Sequence, residues 1–232
     1  VMENVAALGR LSKWSEVRRA LVERGERAGF ETGLFVLNAN DHGVPQSRER
    51  LFAVGLKSGL SAFARAVRDR ESAAPTALAV LDTFDAPGTG DNARKCGAAV
   101  NFAKAPVLRR SPFGGMLFNG SGRPFDLRGP APTLTASMGG NKTPIVDESQ
   151  RGEGRSFVAA YHARLMAGEA PLTGRAPACL RRLTVDEALA LQGFPREYRL
   201  SGSRAAMFHQ IGNAVPPPLA RSVAEALLEV VA

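Results

Sequence analysis

The chain has 232 residues, of which 44% are apolar, so it is long enough to bury one or two hydrophobic cores. It contains no apolar run of membrane-spanning length and no recognisable signal peptide. The net charge of +8 favours a polyanionic partner, most simply nucleic acid, although an ordinary arginine-rich protein is the plain alternative.

The first third of the chain alternates between helical and strand-like patterns. Ser12 or Ser15 can cap a helix that runs to about Ala28. Two apolar, β-rich runs, 32–39 and 50–56, then predict buried strands on either side of the loop "HGVPQSRER". This order predicts an α/β fold with its function at a loop. Because "VMENV" has the character of the tail of a buried strand, we expect the sequence to begin partway through a larger protein.

The middle of the chain has a different texture. From about residue 73 to residue 178 the periodicity fades and Gly and Pro cluster, which predicts a loop-rich domain of short strands. Regular pattern returns with "RRLTVDEALALQGFP", where Thr184 and Glu187 form a capping box. A last helix is predicted to start at the proline run 216–218.

The two cysteines, Cys96 and Cys179, are too few and too far apart for a zinc site or a disulfide framework. We therefore expect reduced thiols, no metal, and a cytoplasmic protein.

Three short motifs are each weak when taken alone. "ENV", Glu3 to Val5, could be a polar turn after a strand, and "QxRxR", with Gln46, Arg48 and Arg50, could be a solvated strand edge. "QIGNAVPP", residues 210–217, could be a tight turn before a helix.

Taken together and in order, these motifs and the "RRLTVDEALALQGFP" block resemble the DNA (cytosine-5) methyltransferases. The resemblance implies an α/β fold with part of a Rossmann-like, S-adenosylmethionine-dependent methyltransferase sheet. It implies three segments: residues 1–72 from the catalytic domain, residues 73–200 forming an inserted target-recognition domain with its bracing block, and residues 201–232 returning to the catalytic domain. The implied partner is double-stranded DNA, and the expected location is the nucleoid.

The resemblance also assigns roles at the target base. Such enzymes flip cytosine out of the duplex, and charge develops toward N3 and O2 when a thiolate adds at C6. Glu3 would engage the N3 and N4 edge, and Arg50 would stabilise O2 with Arg48 beside it. Gln46 and Asn4 would contact the nucleotide.

The resemblance also assigns residues that would contact the cofactor and the DNA duplex. Asn213 and Val215 would contact S-adenosylmethionine, while Gly212 would allow close backbone approach. In the recognition domain, positive charge and polar groups suit phosphate and base contacts. The implied DNA-binding residues are Arg109, Arg110, Arg123, Arg128, Lys142 and the Thr133–Leu134 pair.

One departure from the family is large. The Gly-rich cofactor loop and the Pro-Cys nucleophile loop are absent from these 232 residues, and neither cysteine lies in a Pro-Cys context. We expect the chain alone to be inactive and to need an N-terminal half, either as part of one longer chain or as the separate subunit of a split enzyme. A non-catalytic DNA-binding remnant is a further alternative. A tRNA cytosine methyltransferase is less favoured because the recognition insert is large.

Overall fold

The computed structural model describes residues 1–152 and 155–231. They form two compact units, which are described separately. The first unit comprises Val1–Ala74 and the segment from Val215 onward, and the second is Pro75–Ala214.

Strands and helices alternate irregularly along the chain. The strands are β1 (Met2–Val5), β2 (Glu31–Asn38), β3 (Glu49–Leu56), β4 (Phe102–Val107), β5 (Met116–Phe118), β6 (Ile145–Asp147) and β7 (Leu180–Arg182). The helices are α1 (Ala6–Arg10), α2 (Ser15–Arg27), α3 (Leu60–Arg68), α4 (Ala77–Leu81), α5 (Phe157–Met166), α6 (Val185–Leu191), α7 (Arg204–Asn213) and α8 (Pro217–Val231).

The first unit is built on a three-stranded sheet of order β1-β3-β2, with β3 antiparallel to both neighbours. Strands β2 and β3 confirm the two strands predicted on either side of the "HGVPQSRER" loop. In the register of β1 and β3, Glu3 lies opposite Phe52 and Val5 lies opposite Arg50. Glu3 and Arg50 are therefore diagonal neighbours on one face of the sheet.

Helices α3 and α8 pack together in the core of this unit. Phe52 and Val54 of the sheet join Phe63, Leu219 and Val223 in one buried cluster. Each such side chain contributes about 1.5–3 kcal/mol through removal of its apolar surface from water. The predicted last helix is confirmed, and its proline start fits because the first helical turn needs no amide partner.

The predicted serine cap of α2 is wrong. Trp14 occupies the N-cap position without a side-chain hydrogen bond, and Ser15 is already helical. A single 3-10 turn, Ser12–Trp14, leads directly into the helix, so the Ser15 amide donates to the Ser12 carbonyl instead.

The second unit has short strand pairs, β4 with β5 and β6 with β7, joined by long irregular segments. One core gathers residues of α4, α6 and α7, and another gathers β4, β5 and α5. Phe208 and Ile211 of α7 are fully buried in the first of these cores. Residues 201–214 therefore belong to the second unit, unlike our assignment of 201–232 to a single returning segment.

The segment "RRLTVDEALALQGFP", residues 181–195, contributes to a buried polar network. The capping box of Thr184 and Glu187 is confirmed at the start of α6. Glu187 is fully buried and accepts two hydrogen bonds of 2.7 Å from Arg181 and one of 3.0 Å from Asn92. Breaking such a buried charge network by removing one partner is strongly destabilising.

Candidate functional site

Glu3 and Arg50 form an ion pair on one face of the small sheet. The distance from Arg50 Nε to Glu3 Oε1 is 2.9 Å, with side-chain exposures of 12% for Arg50 and 31% for Glu3. Arg50 also donates from Nη1 to the Glu49 carbonyl at 2.7 Å. The structure thus brings together the two residues that the resemblance assigned to neighbouring atoms of one cytosine, Glu3 to N3 and N4 and Arg50 to O2.

Gln46 and Arg48 lie in the same loop but are fully buried. Burial, reinforced by the nearby Arg50 charge and opposed by Glu3, lowers the pKa of Arg48 to about 10. The Arg48 backbone is fixed at both ends, because its amide donates to Asn38 and its carbonyl accepts from Ala39. Both side chains support the loop from within and do not face solvent.

Asn4 is exposed, and its side-chain oxygen accepts a hydrogen bond from the Val5 amide at 2.8 Å. Successive side chains of a strand point to opposite faces, so Asn4 faces away from Glu3. The resemblance assigned both residues to the target nucleotide and did not indicate that their side chains point to opposite faces.

The second unit contains a cavity of about 740 Å³ that gathers three predicted DNA-binding residues, Arg123, Thr133 and Lys142. Its other lining side chains include hydroxyl groups, a carboxylate, Asp126, and apolar groups such as Phe113. Donors, acceptors and apolar surface together are what reading of base edges requires.

The remaining predicted DNA-binding residues are placed differently. Arg109, Arg110 and Arg128 are exposed but do not line this cavity. The Arg109 carbonyl accepts a 2.8 Å hydrogen bond from Nε2 of His162, a buried residue of α5. Leu134 is fully buried in the core that also contains residues of α4, α6 and α7, so its side chain does not face solvent in this structure.

The residues assigned to the cofactor lie near the end of α7 and beyond it. The Nδ2 atom of Asn213 is 3.0 Å from Nε2 of His209, and Nδ1 of His209 is 3.2 Å from the Ala136 carbonyl oxygen. Asn213 therefore donates to His209, which in turn donates to Ala136. His209 was missed, although its position four residues before Asn213 on a helix is a recognisable signal.

Gly212 and Val215 contact the protein itself. A Cβ atom on Gly212 would lie 2.2 Å from the Ala136 amide nitrogen, so the glycine admits the backbone of that loop. Val215 is partly buried against the core of the first unit.

The two cysteines have different surroundings. Cys179 is partly buried, and desolvation, reinforced by the Asp147 charge, raises its thiol pKa. The Cys96 sulfur lies 3.6 Å from the Thr143 hydroxyl oxygen. Among residues 1–152 and 155–231, no cluster of three potential metal-ligating side chains occurs and no helix is long and apolar enough to cross a membrane.

Known proteins resemble this chain over nearly its whole length. The sequence profile of C-5 cytosine-specific DNA methylase matches residues 1–229. The type II methyltransferase M1.HphI of Haemophilus parahaemolyticus is 30% identical over 99% of this chain and 56% of its own length. The type II methyltransferase M.DdeI of Desulfomicrobium norvegicum is 26% identical over 97% of this chain and 61% of its own. The chain thus spans little more than half the length of these curated relatives.

A solved structure supports the fold. The S. pombe Dnmt2 methyltransferase superposes with a TM-score of 0.58 at 16% identity, covering 99% of this chain and 66% of that one. The chain therefore shares the mixed α/β fold of solved methyltransferases. Within that class, the chain belongs to the C-5 cytosine-specific DNA methylase family.

Proposed function

We propose that this chain holds the target base and reads the duplex in a DNA (cytosine-5) methyltransferase. With an N-terminal half that carries the nucleophile, it would transfer a methyl group from S-adenosylmethionine to C5 of a flipped cytosine in a specific duplex sequence. The observation that carries this proposal is the ion pair between Glu3 and Arg50, which sets a carboxylate and a guanidinium side by side on one sheet face.

The two side chains suit a cytosine edge. The Glu3 carboxylate accepts a hydrogen bond from the exocyclic N4 amino group, a donor in place of which thymine has the O4 acceptor. Arg50 donates to O2, where negative charge develops as the ring is attacked, and this stabilises the transition state more than the ground state. Glu3 in turn fixes the Arg50 guanidinium, so the cation is oriented before the base arrives.

Gln46 and Arg48 act by positioning in this proposal. Arg48, fully buried beside Arg50, adds positive potential in a region where water is excluded. Its backbone bonds to Asn38 and Ala39 hold the loop that leads into β3 and so set the start of the strand that carries Arg50.

The residues near the end of α7 fit part of a cofactor site. Asn213 is exposed and its amide nitrogen is held by His209, which leaves its carbonyl oxygen oriented as an acceptor for the amino groups of S-adenosylmethionine. Val215 offers apolar surface next to the chain's own core. The cofactor, when bound, supplies the electrophilic methyl group. Gly212 would take part only through its backbone.

Duplex DNA is the proposed partner of the second unit. Arg123, Lys142 and Thr133 would meet the duplex at the 740 Å³ cavity, with Arg109, Arg110 and Arg128 contacting phosphates nearby. Restriction-modification is the proposed setting, in a cytoplasmic, nucleoid-associated enzyme, because the relatives named above are type II methyltransferases. The N-terminal half would be supplied by the same polypeptide or by a second chain.

The test compares Glu3→Ala and Arg50→Ala in the complete enzyme. We expect methyl transfer to fall by about 100-fold or more, the cost of losing one preorganised transition-state donor, while duplex affinity changes little. The control is the exposed ion pair of Arg10 with Glu49, which neighbours Arg50 in sequence. Arg10→Ala and Glu49→Ala should leave transfer nearly unchanged. Equal losses of transfer and of binding at Glu3 and Arg50 would mean that the pair only holds the strand.

A further inference from the structure

A second cavity in the Pro75–Ala214 unit is strongly basic. It has a volume of about 510 Å³ and lies between the segments 95–100 and 175–182. Four cationic side chains are among its lining residues: Lys95, Arg175, Arg181 and Arg182. The described residues that line it include no Asp or Glu.

Arg182 is a buried cation without a carboxylate. It is only 4% exposed, and its guanidinium donates to the carbonyl oxygens of Thr143 at 2.7 Å and Asn119 at 2.9 Å. Its Nε atom has no hydrogen-bond partner among the described residues, and none of their carboxylates pairs with it. Burial lowers the pKa of Arg182, opposed by Cys96 nearby. An unneutralised buried charge is costly, and a bound anion would offset that cost.

The other cations differ in how they are compensated. Arg181 is neutralised within the protein, because it pairs with Glu148 and Glu187 at 2.5 and 2.7 Å. Lys95 and Arg175 are exposed, and within the described chain neither side chain has an ion pair. The cavity therefore combines one buried and two exposed charges that the described protein leaves unbalanced.

The backbone adds neutral donors to this wall. In the described structure the amides of residues 96–100 donate no hydrogen bond, although the next amide, that of Asn101, bonds to Asn119 at 2.9 Å. The side chains at Gly97, Ala98 and Ala99 are small, and Gly97 and Ala99 are exposed. Consecutive free amides beside cations form the kind of concavity that holds oxyanions.

We propose that this cavity binds a phosphate group of the DNA backbone, a contact that fixes the duplex without reading its sequence. The inference rests on the proposed function and extends it to residues that no motif marks. The proposed ligand is the phosphodiester of a duplex, and a free phosphate ion is the alternative source of the same chemistry.

Cys96 provides a direct readout because it lines this cavity, whereas Cys179 does not and serves as the internal standard. Alkylation of both thiols by iodoacetamide is followed by mass spectrometry with no addition, with duplex DNA and with inorganic phosphate. We expect duplex DNA to slow modification of Cys96 severalfold relative to Cys179, and inorganic phosphate at millimolar concentration to have no such effect. Equal protection by phosphate alone would overturn the assignment to DNA, and no protection by either would overturn the site.

A variant pair tests the charges. Lys95→Ala/Arg175→Ala is compared with Lys104→Ala/Arg199→Ala, which removes two exposed cations of the same types outside the cavity. We expect the first variant to reduce the slope of log affinity for duplex against log salt by about 1–2, and the control to reduce it less. All variants are made in the complete enzyme, and if the complete wild-type enzyme binds no duplex, both the proposed function and the phosphate site fail. If it binds and the two variants behave alike, only the phosphate site fails.

Discussion

Arg48 at the end of the loop and Arg50 at the start of β3 place two guanidinium groups near each other, and Glu3 is the carboxylate whose charge opposes theirs. Burial lowers the pKa of both arginines, and the Glu3 charge opposes that effect at each. Removing Glu3 would leave two neighbouring positive charges that are partly desolvated and have lost the carboxylate charge that opposes them. The same carboxylate thus has a structural role that any test of its chemical role must control for, which is why duplex affinity is measured beside methyl transfer.

His42 makes the loop sensitive to acid. It is 4% exposed, and its Nδ1 atom has no partner among the described residues. Burial lowers its pKa below 6.5, opposed by Glu71, Asp41 and the Arg70 carbonyl. The unfolded chain therefore binds more protons than the folded chain just below pH 6.5, so the free energy of unfolding must fall as the pH falls through that window.

We predict that His42→Gln reduces the loss of unfolding free energy that occurs as the pH falls below 6.5. Urea unfolding of the wild type at pH 7.5 and pH 5.5 should show a drop in stability that the variant shows to a smaller extent. His209→Gln is the matched control, because His209 is exposed. If wild type and His42→Gln lose the same free energy over this pH range, His42 does not carry the dependence.

Gly212 allows helix α7 to pack closely against the backbone of Thr135 and Ala136, in the loop that also contains Thr133. An added Cβ on Gly212 would lie 2.2 Å from the Ala136 nitrogen and 2.3 Å from the Thr135 carbonyl carbon, and backbone atoms cannot move aside as a flexible side chain can. We predict that Gly212→Ala destabilises the protein by about 1–3 kcal/mol, despite the better helix propensity of alanine.

The control for this substitution is Gly140→Ala, because a Cβ atom there would meet nothing within 4 Å. Denaturant titrations should show it within about 0.5 kcal/mol of the wild type. A Gly212→Ala protein as stable as the Gly140→Ala protein would show that the loop and the helix are not tightly packed.

Local sequence signals predicted the elements that depend on local interactions. The capping box at Thr184 forms because both partners lie within one helical turn, and β2 and β3 form where β-rich runs are bounded by a loop. The Gly-Asn pair at 212–213 suggested a tight turn, yet it ends a helix. Packing of Gly212 on the Ala136 backbone overrides the turn preference of the pair.

Contacts between distant segments could not be read in the same way. Asn92 donates to Glu187 within a buried network, and nothing in the sequence around either residue marks the other. Burial of Leu134 was missed for a similar reason, since the neighbouring Thr133 is exposed and the loop has no periodicity. Motif order predicted that Glu3 and Arg50 would meet, but only the register of β1 and β3 explains why Asn4 does not join them.

Across the whole molecule, many arginines are paired with carboxylates, including Arg70, Arg151, Arg164 and Arg181. Arg123 and Lys142 are different, because both line the 740 Å³ cavity and within the described chain neither side chain has an ion pair. Arg123 and Lys142 are therefore among the cations whose charge is available to a polyanion.

We predict that Arg123→Ala/Lys142→Ala weakens duplex binding and alters its dependence on sequence or on salt. A phosphate contact would reduce the salt slope by about 0.9 for each cation, whereas a base contact would relax discrimination between duplexes by about 1–3 kcal/mol at one position. Fluorescence anisotropy over a salt series with Lys104→Ala/Arg199→Ala as control separates the two. Unchanged affinity and slope would remove this cavity from the interface.

The central claim concerns the product of the complete enzyme. The full coding region around this chain should be expressed and incubated with S-adenosylmethionine and either duplex DNA or tRNA, and the nucleosides should be analysed by mass spectrometry. We predict 5-methylcytosine in the DNA and its loss in the Glu3→Ala protein. Methylation confined to tRNA, methylation at another position of the base, or unchanged product with Glu3→Ala would contradict the proposal that this chain holds a duplex cytosine for methylation at C5.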